Sequence, residues 1–471
     1  MLGEAGSGEL GDRRRPIGLA SGKEARRGMR RIGGDHYLET PEGLIAQHQR
    51  RSMRRVRFSI DGIEPRRKQS MADRDKDDVQ RQLLGWLTRL RRAAFRGPLA
   101  LRLTLKTTDK NPTHSHHVAK NLLDLFSAPR PALSTTRRAL LYADDRQVHA
   151  LSVTCHHGES LPDISVVASP LGAMVQDLGL IVRHARESRD RYDHLEWEQS
   201  ERLDETLDEF RDMVRGEARW RPLYGDAGYE MMLRHWRQQA QELLLGRAAI
   251  TPTDLAYMYN ASGRALGIDT ATMWEQTFAS TPLRIRLSEL PQVSGASAKW
   301  KEEVDEKLRA FQSRFGWILD PLLVPVALEV VIKPPPPSRQ NGLHDLDNVL
   351  RTYLIPRVVE ILKPVSHYAF TVDPEVMERT AREIAAKDEG VLSLRLPRPP
   401  ASTRSGVTRY EAWRLPPAGE GSQGFVSIAI VTDMTGHGDI FGQVDEEINH
   451  WRESLESPWR SAHRSSRRRS W

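Results

Sequence analysis

Two aspartates at positions i and i+2, Asp345 and Asp347, stand in the run His344-Asp345-Leu346-Asp347-Asn348, just ahead of an apolar helical stretch. Paired acids beside an amide suit a hard divalent cation such as Mg²⁺, which takes oxygen ligands. Such an ion offsets the charge that develops on oxygen when water attacks a phosphodiester. Arg351, three residues past Asn348 and so close to its helical face, offers a cation for the same purpose. The plainer alternative is a turn in which Asp347 or Asn348 caps the helix.

Residues 325–333, Pro-Val-Ala-Leu-Glu-Val-Val-Ile-Lys, alternate as a half-buried strand does, and a loop from Pro334 to Gly342 delivers the acids to its end. The same layout occurs twice. The earlier unit opens at Phe58-Ser59-Ile60, with a charged helix near 76–94, a strand at 98–106 and a helix at 118–126. Strands at 147–155 and 163–168 close it. The later unit opens at 283–287, with a helix near 299–315, the strand at 325–333 and the acidic helix. Strands at 410–414 and 424–432 close it. Both read strand, helix, strand, loop, helix, hairpin, which is the mark of an internal repeat.

Asp-Leu-Asp-Asn, then a basic residue at Arg351, after a strand and a proline-rich loop, resembles the RusA-like Holliday-junction resolvases. In that family the aspartates bind Mg²⁺, a lysine stands where Arg351 is here, and a later Asp-Asp-x-Gln-Val follows. No such motif follows Asp347; it occurs upstream, as Asp144-Asp145-Arg146-Gln147-Val148. The first unit also carries Lys120 and Asp124 where the family has its basic residue and next-turn Asp. His114-Ser115-His116-His117 occupy the places of its early carboxylates. The second unit keeps the early acids but has Ser405-Gly406-Val407 near the place of the late pair, after an insertion over 373–404. Asp373 is its nearest downstream carboxylate.

The resemblance implies a mixed α/β chain of two RusA-like units forming an internal pseudo-dimer, with Mg²⁺ (or Mn²⁺) as cofactor and branched DNA as partner. It implies a site within each unit, with Asp345 and Asp347 holding metal and Arg351, or Lys120 in the first unit, facing the transition state. Asp144 and Asp145 complete or duplicate that site. His114 and His116 are either what remains of a decayed site or ligands for a softer ion such as Zn²⁺. A further arrangement joins the aspartates of both units into one composite site. The activity expected is phosphodiester hydrolysis; the alternative is a DNA-binding descendant without catalysis.

The chain has 471 residues and a formal charge of +7, which favours polyanionic partners. Arginines gather before residue 55 and at 464–469, as arms suited to phosphate backbones. Arg54, Arg55, Arg66, Arg67 and Lys68 are the candidate DNA contacts. The expected division is a disordered basic arm at 1–55, the first unit at 56–171 and a helical connector at 172–281. The second unit follows at 282–435, then a C-terminal helix and basic tail at 436–471. The lone Cys155 excludes an intramolecular disulfide and a cysteine-cluster zinc site. No apolar run is long enough to span a membrane, so the expected location is cytoplasmic, with the nucleoid when DNA is bound.

Overall fold

The computed structural model describes residues 37–109, 114–187, 189–261, 281–291, 297–340, 345–365, 406–407, 409–432 and 439–456, with Glu275 and Phe278. His344, Asp373 and the insertion around it, and both terminal arginine runs except for Arg50, Arg51, Arg54 and Arg55 lie outside these residues. Among the described residues, no helix is long and apolar enough to cross a membrane.

The chain is mixed α/β. Its strands are β1 (Val56–Asp61), β2 (Leu99–Thr107), β3 (Val148–His157), β4 (Asp163–Pro170), β5 (Arg284–Leu287), β6 (Val326–Lys333), β7 (Arg409–Arg414) and β8 (Phe425–Thr432). All eight join one sheet in the order β1-β4-β2-β3-β7-β6-β8-β5. The expected units therefore share a single sheet within one compact body, Arg51–Ser454. Each half has the same pattern. β2 and β6 run parallel to β3 and β7, and both are antiparallel to β4 and β8. The halves meet where β3 and β7 pair antiparallel, with Val153 opposite Tyr410. An antiparallel pair of equivalent strands is what an approximate two-fold axis through the sheet produces.

One expectation is corrected here. The two closing strands of each unit do not form a hairpin, because β2 lies between β3 and β4, and β6 between β7 and β8. β2 is buried along most of its length, so its backbone N–H and C=O groups need a partner strand on each edge. β3 reaches one edge after the helical crossover that parallel pairing demands. The short link at 158–162 then steps back across one strand, about 10 Å, to the other edge.

Helices cover both faces. Before the sheet in the chain comes α1 (Pro41–Ser52), and between β1 and β3 come α2 (Asp73–Arg89) and α3 (Ser115–Ser127). Val79, Leu83 and Leu87 of α2 and Val118, Leu122 and Phe126 of α3 share one core with the leucines of β2. In the second half α8 (Ser297–Leu319), α9 (Leu346–Val349) and α10 (Ile355–Leu362) repeat this role. A π-helical turn at Leu350–Leu354 interrupts the helix that follows the acids, and α10 opens at Ile355 just before Pro356. The proline falls in the first turn of α10, where a missing N–H is least felt.

The connector forms α4 (Leu171–Glu187), α5 (Arg189–Arg215), α6 (Glu217–Gly246) and α7 (Pro252–Met258). α7 starts at a capping box, with Thr251 and Asp254 in reciprocal hydrogen bonds. α4 packs on β2 and β4, and α6 on β8. The chain closes with α11 (Ile440–Glu456).

On the sheet face away from α3 lies an ionic row, buried except at its Arg102 end. Arg284 pairs with Glu329 at 3.1 Å, Arg409 with Glu411 at 2.7 Å and Arg102 with Asp439 at 2.7 Å. Burial, reinforced by Asp439 and Glu329 and opposed by Arg409, pushes the Glu411 carboxyl up to about 8. An acid whose pKa rises on folding favours the fold while protonated, and that advantage is lost as pH climbs through its folded value. Melting temperature is therefore expected to fall from about pH 5 to about pH 8 and to level off above that, and Glu411→Gln to flatten that fall. An unchanged slope in the variant would refute the assignment.

Candidate metal centre at the seam of the sheet

The late motif Asp144-Asp145-Arg146-Gln147 forms a tight turn ahead of β3. Asp144 accepts from the Arg146 backbone N–H, and Gln147 Oε1 accepts from the N–H groups of Ala143 and Asp144. Gln147 Nε2 also donates to the carbonyls of Phe95 and Gly97. The glutamine thus holds the turn to its surroundings and leaves Asp145 free to point elsewhere. One turn into α3, Lys120 stands four residues before Asp124, on the same helical face. In the other half Asp345 sits at the N-cap of α9 and accepts from Asn348 Nδ2 at 2.6 Å, which fixes its rotamer.

Because the halves join through β3 and β7, the start of β3 faces α9 of the opposite half. Lys120 Nζ lies 2.6 Å from Asp145 Oδ2, 3.2 Å from Asp347 Oδ2 and 3.2 Å from Asp124 Oδ1. Asp144, Asp145 and Asp345 each place one carboxylate oxygen within 4.8 Å of the others, a grouping of oxygens that could hold one metal ion. The acids of the two units therefore form one composite site. The expectation of a separate site in each unit does not describe where Asp144, Asp145, Asp345 and Asp347 lie.

The electrostatics call for a cation. Burial, with Asp145 adding repulsion, raises the Asp345 carboxyl above its ordinary range. Burial raises Asp347 also, against the pull of Lys120. Burial opposes the Lys120 charge, but the hydrogen bond to Asp145 and the fields of Asp347 and Asp124 outweigh it and hold the ammonium protonated. Asp347 is only 3% exposed. Its Oδ2 and Asp345 Oδ1 are shut off from water without a well-directed hydrogen bond, although Lys120 Nζ and Arg146 Nε approach to 3.2 and 3.3 Å. Buried acceptors left in this state are costly unless something binds them.

Two residues here were not singled out by the motifs. Arg146, the variable position of Asp-Asp-x-Gln, reaches Asp345. Arg414, at the end of β7, donates to the Arg146 carbonyl at 3.0 Å, and its charge acts on Asp345. Arg146 lay inside a quoted motif. Arg414 carried no local signal, since it joins the site only through strand order.

Other expected residues fall elsewhere. Arg351 does not reach the aspartates; it donates to Asn348 Oδ1 at 3.4 Å, and its charge falls on His116 and His117. Lys120 takes the position beside the acids that Arg351 was expected to hold. The rings of His114, His116 and His117 lie 4.3 to 5.8 Å apart by centroid. Among the described residues, though, only the aspartate trio has three ligand atoms within reach of one ion. Arg55 is not an open DNA contact, because it pairs with Asp177 at 3.1 Å and Asp445 at 2.6 Å. Arg54, Arg66, Arg67 and Lys68 are exposed. The Arg66 carbonyl is held by Asn121 of α3, and Lys68 lies 3.1 Å from Asp124. Cys155 is buried in β3, as a small apolar residue would be. No family model, curated protein or solved structure matches the chain.

Proposed function

We propose that this chain is a Mg²⁺- or Mn²⁺-dependent phosphodiester hydrolase that acts on branched or otherwise structured DNA, as the RusA-like resemblance implies. The observation that carries this reading is the meeting of one carboxylate oxygen each from Asp144, Asp145 and Asp345 within 4.8 Å, with Lys120 beside them. The all-oxygen donor set suits a hard divalent ion, and the unsatisfied Asp345 Oδ1 is consistent with a ligand waiting for one. When bound, such an ion polarises a phosphoryl oxygen and lowers the pKa of a coordinated water. Asp124 and Asp347 keep the Lys120 ammonium charged and aimed, so that it can stabilise negative charge on the reacting phosphate. Exposed Arg54, Arg66, Arg67 and Lys68 supply backbone contacts that do not read sequence.

The test is incubation of the purified chain with a labelled four-way junction and a matched duplex, with Mg²⁺ or Mn²⁺, beside Asp345→Asn. Metal-dependent cleavage of the junction that disappears in the variant is expected. The rival reading, a DNA-binding protein without hydrolysis, draws on the imidazoles that stand where the first unit should have early carboxylates. Salt-sensitive binding with no cleavage under any divalent ion would select it.

A further inference from the structure

The two-fold relation between the halves gives the acidic centre a counterpart. The centre lies where the start of β3 meets α9; its counterpart lies where the start of β7 meets α3. There Ser115 Oγ donates to the Val407 carbonyl at 2.9 Å, two residues before β7. The residues gathered at this second position have the opposite character. His114 and His116 replace the early acids, His117 stands in the place of their asparagine, and Arg351 replaces Lys120. Arg67 adds its field to His117 from the neighbouring loop.

Arg351 is under-partnered for a guanidinium, which has five N–H donors. Its Nε is shut off from water without a hydrogen bond, and its contact with Asn348 is at the limit of bonding distance, 3.4 Å. Lys120, its counterpart, is ringed by Asp124, Asp145 and Asp347. Among the described residues no carboxylate pairs with it, and an anion would give its free N–H donors charge-assisted partners. His116 is held neutral by burial, with His117, His114 and Arg351 adding to the effect, so its ring serves as a neutral hydrogen-bonding group.

We propose that this second position is an anion site that holds a backbone phosphate of the nucleic acid, through Arg351 with His117 and Arg67, while the acidic centre works on another phosphate. The inference rests on reading the acidic centre as a DNA phosphodiesterase. His117 and Lys120 are three residues apart on α3, about 5 Å along its axis, so one strand's backbone can reach both positions. The internal repeat thereby becomes a division of labour, with one position shaped for a cation and its twin for an anion.

The experiment is fluorescence anisotropy of a labelled four-way junction titrated with the full chain in EDTA, across a salt series, for wild type, Arg351→Gln and Asp345→Asn. Arg351→Gln is expected to weaken binding about tenfold and to lower the slope of log K against log salt by about one, the loss of one phosphate contact. Its Mn²⁺-induced rise in melting temperature should match wild type. Asp345→Asn should bind the junction at least as tightly as wild type. Arg67→Gln, on an exposed loop, gives the same reading if Arg351→Gln does not fold.

Wild-type affinity and slope in both arginine variants would overturn the proposal. So would a Zn²⁺-dependent thermal shift lost in His116→Gln together with unaltered DNA binding, which would make the imidazoles a metal site. Junction binding with the expected loss in Arg351→Gln, but no cleavage by wild type, would uphold the anion site and reject the hydrolase. A wild type that binds no DNA would reject both.

Discussion

Asp345→Asn is expected to abolish Mn²⁺-induced stabilisation and to lower junction cleavage by on the order of a hundredfold or more, the scale of losing one preorganised electrostatic contact. The argument starts from the metal-free protein. Burial and the neighbouring Asp145 raise the Asp345 carboxyl, and burial raises Asp347. Acids whose pKa rises on folding favour the fold when protonated, and that contribution disappears as pH climbs through their raised values. The metal-free site is thus most strained at neutral pH and relaxed in acid. An ion that binds only the folded state adds about 2.7 kcal/mol at one hundred times its dissociation constant. The Mn²⁺ shift should accordingly be larger at pH 7.5 than at pH 5, where protons compete for the same oxygens. Without metal, Asp345→Asn should melt no lower than wild type at pH 7.5, since it removes a repelled charge. Scanning calorimetry with and without Mn²⁺ checks both, and a full Mn²⁺ shift in the variant would exclude Asp345 as a ligand.

Lys120→Ala carries the other large effect, this time on stability. Its ammonium is the shared counter-charge of Asp124, Asp145 and Asp347, and Asp347 is almost wholly buried. Removing one partner of a buried ion pair costs about 3–5 kcal/mol, because the other charge is left without compensation. Three signatures separate this from lost packing. The deficit should shrink as pH is lowered and the orphaned carboxylates take up protons. It should shrink with Mn²⁺ at neutral pH. Asp347→Asn in the same chain should recover a large part of it, a positive coupling in a double-mutant cycle. A deficit that ignores pH, metal and the second substitution would mean that Lys120 serves only to pack.

These effects concern residues that were visible early, in an arrangement that was not. The strands were legible from their apolar and β-branched composition: β2 was expected at 98–106 and spans Leu99–Thr107, with leucines inward at 99, 101, 103 and 105. Helix ends were harder. α2 was expected to run to residue 94 on its composition but stops at Arg89, and Arg91 then takes a left-handed backbone, which no side-chain type announced.

The sequence by itself determined the kinds of chemistry on offer. It placed acids at the N-terminus of one helix and before β3, a lysine inside α3, histidines where the first unit lacks acids, and a repeated element order that made two similar halves. Each of these depends on local spacing, which a linear reading can follow. Only the tertiary structure decided which acids meet. Asp145 and Asp347 come within reach of one ammonium because β3 and β7 pair at the centre of a single sheet, turning the loop of one half toward the helix of the other. That pairing is chosen by which strand edges remain open once β2 and β6 have taken their neighbours, a property of the assembled sheet that no stretch of chain encodes alone.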